Sequence, residues 1–565
     1  MVWLLRLMNT WSVWLVLIGV LLTLPLLCNP TPTGHDFLHH LLFSHHFSQQ
    51  FWQGELYPRW MQAMNAGFGS PTFFFYPPLP YWVTALCQAV LPTQGAGDGH
   101  PLALAALLAL IASGVTARAW LLGYGIGQRA ALLGALLYMA QPYHLLIDLY
   151  QRYAFAEFWA FVWLPMILHG SVRLAQGGRL ALAQLAGGVA ALTLSHLPVL
   201  LLASPLIALH TLWLWRRQPT LGQLARQVAG LSLGLGLAAI YWLPAMTTQQ
   251  YVSIPAMLEG ILDYRRHFLD IWPDAQHGFT FRRNLSFVAA ANGLLALAGW
   301  WQARRHSDRE ARHTALLWLL LSAALLLWMA PLARPLWDAL PILQQVQFPW
   351  RIQTLLCVSV LPILGLALQV GAQHRQGVAL WHVLWLLLML IEVSVMADRL
   401  FRQHPQTRLD TLFVNRRSPL EYRPSWVPSD RFSVPGLLEL ARTTPTLSSE
   451  PPTTRWQILD WQPRRLKLQL AVPTASQLTL HQFFYPGWQA RRDTDATPLT
   501  LGPDANGLLR LALPAGHYRV QLTLKALPQE LAGRGISLLA LLLLLWASRP
   551  RPKATPAPGL RGSPG

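Results

Sequence analysis

Phe73-Phe-Phe-Tyr-Pro-Pro-Leu-Pro-Tyr-Trp82 leads into an apolar run at 79–91. Whether that run crosses a membrane sets the side on which every later segment lies. The question arises because the chain is built for lipid. Of its 565 residues 53% are hydrophobic and 12% charged, against about a quarter charged in a soluble globular protein. So little charge cannot cover soluble domains of this length. At roughly 20 apolar residues per bilayer core of about 30 Å, spans are expected at 11–28, 101–122, 130–147, 154–171, 180–195, 197–215, 228–244, 286–302, 314–330, 352–371, 378–396 and 531–547. The first run is long, has no small-x-small cleavage site and ends in Leu24-Pro-Leu-Leu-Cys-Asn-Pro30, so it reads as a span, not a cleaved signal.

The net charge is +19, and Lys occurs only at 467, 525 and 553. If 79–91 stays out of the membrane and the N-terminus is cytoplasmic, one side collects Arg6, Arg118, Arg129, Arg173, Arg179, Arg216, Arg217, Arg226, Arg304, Arg305, Arg309, Arg312, Arg375, Arg549, Arg551, Lys553 and Arg561. If it spans, most of these flip outward. The bias of Lys and Arg toward the cytoplasm therefore makes 79–91 an interfacial or re-entrant segment and predicts twelve crossings. The outer side then carries the first loop 29–100, the segments 148–153, 245–285 and 331–351, and a polar region at 398–530.

Residues 1–397 thus read as a polytopic membrane domain and 398–530 as a β-rich outer domain, followed by the last helix 531–547 and a disordered cytoplasmic tail 548–565. The β-rich reading rests on period-two runs, Arg465-Leu-Lys-Leu-Gln-Leu470, Gln477-Leu-Thr-Leu480 and Tyr518-Arg-Val-Gln-Leu-Thr-Leu524, separated by turns such as Pro503-Asp-Ala-Asn-Gly507. That pattern is a small antiparallel sandwich. The three cysteines all lie in apolar stretches, with neither disulfide nor metal spacing. No Walker loop occurs, and neither a GxSxG nor a G-x-G-x-x-G lies in a βαβ setting. Nucleotide hydrolysis is not expected, nor is a nucleic-acid partner, because excess Arg in a membrane chain first encodes orientation.

The chemistry is expected on the outer face. Gly34-His-Asp-Phe-Leu-His-His40 puts Asp36 and His40 four apart, on one face of a juxtamembrane helix. A carboxylate there, backed by imidazole, suits a general base for an acceptor hydroxyl. The bland alternative is a solvated Asp beside interfacial histidines. His35, His39, His40, His45 and His46 spread along one amphipathic stretch, so no protein-held metal is expected; a divalent cation is the one cofactor left open.

Arg59, Arg152, Arg265, Arg266 and Arg351 lie where the orientation rule disfavours them. Arg59, in Gln53-Gly-Glu-Leu-Tyr-Pro-Arg-Trp60, could pair with Asp36 or a lipid phosphate. Arg152 and Glu157 open a hydrophobic helix, where charge is costly unless it serves a site or the helix dipole. Arg265 and Arg266, in Leu262-Asp-Tyr-Arg-Arg-His-Phe-Leu-Asp270, suit a phosphate or pyrophosphate unless Asp263 and Asp270 offset them. Arg351, in Gln347-Phe-Pro-Trp-Arg351, could contact phosphate or snorkel to headgroups. His196, in Ser195-His-Leu-Pro198, could reach the same cavity or only break a helix.

These motifs, together with Phe484-Tyr-Pro-Gly-Trp488 and in this order, resemble a bacterial family of multi-pass membrane proteins described as 6-pyruvoyl-tetrahydropterin synthase-related. Nothing resembles the soluble zinc enzyme whose name the family carries. The pattern is also similar to the GT-C membrane glycosyltransferases. That resemblance implies a mainly α membrane fold, an acidic first outer loop followed by a juxtamembrane helix, and sugar transfer from a polyprenyl-phosphate carrier on the non-cytoplasmic face. Asp36 matches the loop-one acid and 79–91 the juxtamembrane helix. Asp36 stands alone where many GT-C enzymes pair their acids.

The expected function is therefore transfer of a sugar from a polyprenyl-phosphate donor to a glycan or lipid acceptor, outside the cytoplasm of a bacterial inner membrane. Asp36 and His40 are the catalytic candidates; Arg59, Arg152, Glu157, His196, Arg265, Arg266 and Arg351 are the substrate-binding ones. The runner-up is a non-enzymatic protein that binds or moves lipid-linked envelope glycans. A secondary transporter is weakest: it needs repeats and mid-membrane charge, and Glu392 alone offers the latter.

Overall fold

The computed structural model describes residues 10–29, 34–91, 97–178, 180–217, 219–269, 279–373 and 417–549. The expected span 378–396, Glu392, residues 398–416, Arg6, Asp270 and the tail beyond 549 lie outside these. Among the described residues eight helices are long and apolar enough to cross a membrane: Trp11–Cys28, His100–Gly123, Gln128–Arg152, Phe155–Ala175, Leu197–Trp215, Arg309–Met329, Pro349–Ala372 and Pro528–Ala547. A bent pair makes a ninth, and Ala181–Ser195 is a shorter apolar helix between two of them. Phe279–Ala303 is helical where the run 286–302 was expected, starting seven residues earlier because Phe-Thr-Phe-Arg-Arg at its head takes helical form.

The segment that decides the side of everything after it is a short helix. Leu79–Val90 spans 12 residues with Pro80 in its first turn, where the missing N–H costs nothing. At 1.5 Å per residue it is about 18 Å long, too short for the hydrocarbon core. It buries Pro80, Tyr81, Thr84, Ala85 and Cys87 against the helices Phe37–Trp52 and His100–Gly123, leaving Leu86 and Val90 exposed.

Helix packing inside the membrane part uses small residues, because hydrocarbon outside leaves close backbone approach as the main attraction. A Cβ at Gly234 would lie 2.5 Å from Val189 Cβ and 2.7 Å from the Ala186 carbonyl. Exposed leucines cluster on outward faces, as on Pro528–Ala547 (Leu538, Leu539, Leu541, Leu542, Leu545). In lipid such faces need no protein cover.

Two expected features differ. The turn near 148–153 is not a loop: the chain continues as a π-helix, Tyr143–Arg152, and turns at Tyr153 with φ 54°. The run 228–244 is not one straight span. It forms Leu221–Leu237 and Ala239–Thr247, bent by 71°. The backbone groups freed at the break find side-chain partners: Ile240 N–H donates to Ser537 Oγ at 2.8 Å, and Arg59 Nη2 donates to the Ile240 carbonyl at 2.6 Å.

The helix Gln353–Gln373, about 30 Å long, runs between two differently charged ends. At one end Gln369 meets His306 and Gly127, and nearby Arg217 bonds Glu310 at 2.6 Å and Arg312 the His306 carbonyl at 2.6 Å. At the other, Thr354 donates to Glu157 at 3.0 Å.

The β part follows the period-two runs. Strands β1 (Leu447–Glu450), β4 (Ser476–Phe483), β8 (Leu508–Leu513) and β7 (Leu501–Pro503) form one antiparallel sheet in that order. Strands β2 (Arg455–Gln462), β3 (Arg465–Val472), β9 (Gly516–Leu524), β5 (Trp488–Arg492) and β6 (Pro498–Leu499) form the other. Leu466, Leu468 and Leu470 face Leu522, Val520 and Tyr518 across β3 and β9. With Leu478, Leu480 and Leu511 they fill a core between the sheets, as alternation requires. Trp60, Phe68 and Phe74 of the first loop join this core. Ahead of β1 the chain forms a helix, Val434–Thr443, that the strand pattern did not anticipate.

Candidate functional site

The left-handed turn at Tyr153 fixes the acidic loop. It exposes the last carbonyls of the π-helix, so His35 N–H donates to Gln151 O at 3.2 Å and Asp36 N–H to Arg152 O at 2.8 Å. Gly34 is needed for this approach: a Cβ there would sit 2.6 Å from Tyr153 Cβ. Asp36 then caps the helix Phe37–Trp52, half-buried at the rim.

Beneath it lies a buried charge cluster. Arg152 Nη1 reaches Asp148 Oδ1 at 2.6 Å and Glu157 Oε2 at 2.9 Å. Glu157 also accepts from Arg351 Nε at 3.2 Å, Thr354 at 3.0 Å and Tyr143 at 3.2 Å. Two carboxylates and two guanidiniums balance, and the Trp350 ring lies 4.5 Å from the Arg152 guanidinium. The expected residues Arg152, Glu157 and Arg351 are thus brought together, with Asp148, Tyr143 and Thr354, which sequence reasoning did not assign. Their partners come from distant segments, 194 residues apart for Glu157 and Arg351.

Asp36 itself is uncommitted: among the described residues its carboxylate makes no hydrogen bond or ion pair. Its field reaches His35, His40, Tyr76, Arg152 and Glu421. His40 is buried, its Nδ1 2.7 Å from the Tyr81 hydroxyl. Burial pushes its imidazole down to about 4, against an opposing pull from Asp36, so it is neutral at ordinary pH and orients rather than pairs by charge. Tyr76 and Tyr81, on the proline-rich stretch, close this side, and burial raises both phenols.

The remaining candidates fall in different places. His196 is buried and caps the helix Leu197–Trp215, its Nδ1 accepting from Val199 N–H at 3.1 Å, within the field of Glu157. Arg265 and Arg266 lie on an exposed 3-10 turn, Tyr264–Arg266. Arg265 sits 3.8 Å from Asp338, and Arg266 has no ion pair among the described residues. Arg282, one turn into Phe279–Ala303, donates to the Arg266 carbonyl at 3.1 Å, and neighbouring Phe281 packs edge-on against His35 at 5.2 Å. Phe281 and Arg282 thereby link the arginine turn to the segment that carries Asp36. Arg59 does not: it is buried against the last helix, 3.3 Å from Glu530, under the Tyr57 ring. Its expected pairing with Asp36 is corrected to Glu530, a residue of a helix 471 positions on.

Glu421 is the acid that sequence reading passed over. It lies in the 3-10 turn Leu420–Tyr422, in a polar stretch without a motif. Ser418 N–H donates to Asn65 Oδ1 at 2.7 Å, and Tyr422 packs on Tyr76 and Phe75 at 6.2 and 6.4 Å. These contacts bring the turn to the Asp36 side. Burial raises the Glu421 carboxyl, and Asp36 adds to the shift. Among the described residues no three of His, Cys, Asp and Glu converge to hold a metal ion.

The fold and site define an integral membrane protein with a helical membrane part, a C-terminal β-domain and an acid–arginine site where Gln353–Gln373 begins. The chain belongs to the family described as 6-pyruvoyl-tetrahydropterin synthase related domain, membrane protein, whose profile matches residues 73–403. No curated protein matches it. Among solved structures it is similar to ArnT from Cupriavidus metallidurans in the apo state, at 15% identity over 64% of this chain and 78% of that one, TM-score 0.29. ArnT from the same organism bound to undecaprenyl phosphate gives 14% identity over 81% and 98%, TM-score 0.29. The Archaeoglobus fulgidus oligosaccharyltransferase in the apo form gives 12% over 77% and 64%, TM-score 0.38.

Proposed function

We propose that this chain is a membrane glycosyltransferase of GT-C type that moves a sugar from a polyprenyl-phosphate carrier to an acceptor outside the cytoplasm. The observation that carries the reading is the contrast between Asp36 and the acids around it. Asp148 and Glu157 are spent on arginines, whereas the Asp36 carboxylate is half-exposed, backbone-pinned and unpaired among the described residues. A positioned, free carboxylate is what a general base requires. Arg266, and Arg265 with its long contact to Asp338, supply guanidiniums for a phosphate. Arg351 spends Nε and Nη1 on Glu157 and the Val346 carbonyl, leaving Nη2 for a ligand. His40 and Tyr81 set the wall beside the base, while Arg152, Glu157 and His196 hold the floor.

The test is a density map of the purified chain with undecaprenyl phosphate added. Its phosphate is expected beside Arg266, within reach of Asp36. Asp36→Asn is expected to keep that density and abolish transfer once a donor is in hand. A lipid bound elsewhere, or transfer retained by Asp36→Asn, would sink the base role. Phosphate density without transfer in the native chain would favour a protein that carries lipid-linked glycans.

A further inference from the structure

We propose that Glu421 is the second working carboxyl of this site, donating a proton to the departing phosphate while Asp36 accepts one from the acceptor hydroxyl. The inference rests on the glycosyltransferase reading and adds a residue and a step to it. Glu421 reaches the site through packing that spans the two parts of the chain. The Ser418–Asn65 bond and the Tyr422–Tyr76 contact anchor the turn, and Tyr76 in turn lies 6.2 Å from the ring of His40. The charged and titratable groups around Glu421 are Arg417 on its own segment, Asp36, Arg351, Tyr76 and Tyr422. None of them bonds it: among the described residues the Glu421 carboxyl has no ion pair, and its one hydrogen-bond partner is its own backbone N–H. Arg417 turns instead to the Ser418 carbonyl at 3.1 Å and the Phe432 ring at 5.9 Å.

Two carboxyls without an ion pair, in unlike environments, make an acid and a base. Asp36 is at the rim, whereas Glu421 is held protonated to higher pH by burial and by the Asp36 charge beside it. In the transfer step the sugar C1–oxygen bond to phosphate breaks and its electron pair stays on the phosphate oxygen. The acceptor oxygen bonds to C1, its proton passes to Asp36, and the Glu421 proton passes to the phosphate. Asp36 ends protonated and Glu421 ionised, so one proton returned from Asp36 to Glu421 resets the site. The products are the glycosylated acceptor and the polyprenyl phosphate monoanion.

Undecaprenyl phosphate, the product-side probe, reads the step without a known acceptor. Its affinity for the full chain in lipid nanodiscs is measured as pH rises from the ordinary carboxyl range upward, the direction in which Glu421 is shifted. Native protein is expected to lose about tenfold in affinity as Glu421 ionises, the share of one hydrogen bond to a charged group. Glu421→Gln should flatten this loss, leaving only the phosphate's own ionisation, common to both. Glu421→Asp should restore it, and Asp36→Asn should move its midpoint to lower pH by removing the neighbouring charge. A purely structural Glu421 would shift no midpoint. Identical pH profiles for native protein and Glu421→Gln overturn the proposal while leaving the glycosyltransferase reading intact. Absence of binding by native protein at every pH overturns the lipid-phosphate reading itself, and this step with it.

Discussion

The charges at the site divide into those that hold the protein and those free to meet a ligand. Arg152, Glu157, Arg351 and Asp148 neutralise one another in a largely buried cluster, so removing one partner strands another. Glu157→Gln leaves two guanidiniums short of a counter-charge and is expected to cost about 3–5 kcal/mol, the usual penalty for breaking a buried pair, read as a lowered thermal midpoint in detergent. Unchanged stability would contradict the cluster. His40 adds a pH dependence. Its folded value of about 4 lies below its ordinary 6.5, so the folded state binds fewer protons than the unfolded one between those limits. Stability is then full above 6.5 and declines as pH falls toward 4. Denaturation midpoints measured across that range should fall, and His40→Gln should reduce the slope; His35, His45, His46 and His267, also lowered by burial, contribute in the same sense. The sequence exposed Arg152, Glu157 and Arg351 as charges out of place. It could not show that they answer one another, because a carboxylate and its guanidinium 194 residues apart share no local pattern.

Among elements, the broken span is the least legible and the most informative. Its apolar run was readable, since hydropathy reports composition. The 71° break was not, because the groups that permit it come from elsewhere: Arg59 from the first loop and Ser537 from the last helix. Ser537 Oγ also donates to Gly236 O at 3.1 Å, so one hydroxyl serves both halves. Ser537→Ala should therefore leave the Ile240 N–H unsatisfied and cost about 1–3 kcal/mol. Gly533 lies where a Cβ would come 2.5 Å from the Ala239 carbonyl; Gly533→Val should separate the last helix from the break. The expected readout is faster hydrogen exchange at 236–247, with the π-helix Tyr143–Arg152 unaffected. Exchange spreading equally to both would mean that the break is not a local unit. The π-helix escaped sequence reading for a related reason: its extra residue per turn leaves the apolar count intact and shows only in where Asp148 and Arg152 point. Strands β3, β4 and β9, by contrast, coincide with the alternating runs, because a two-sheet core demands that alternation.

At the scale of the whole molecule, sorting the arginines by the side each loop should occupy gave two populations, and the fold keeps them apart. Arg217, Glu310, His306 and Gln369 meet at one end of Gln353–Gln373, while Glu157, Thr354 and the Asp36 rim meet at the other, about 30 Å away. Two clusters separated by the thickness of a hydrocarbon core are expected to face opposite aqueous phases. The short helix Leu79–Val90 makes this possible, since one further crossing there would put like-signed loops on both sides. The β-domain shares the site's side: His481 stacks on Phe68 of the first loop at 3.8 Å, and the Phe483 N–H donates to the Phe68 carbonyl at 2.7 Å. Orientation then depends on where the excess arginine resides, and it can be measured directly. In a Cys28→Ser background, which removes the one exposed native thiol among the described residues, Asp495→Cys on the β-domain and Arg216→Cys at the arginine-rich end provide exposed handles. A membrane-impermeant maleimide applied to spheroplasts is expected to label Asp495→Cys at once and Arg216→Cys only after the membrane is opened. The reverse order would place the site in the cytoplasm, where a carrier presented on the outer leaflet could not reach Asp36. Labelling of both handles in sealed spheroplasts would mean an even number of crossings between residues 216 and 495 and would overturn the separation of the two clusters.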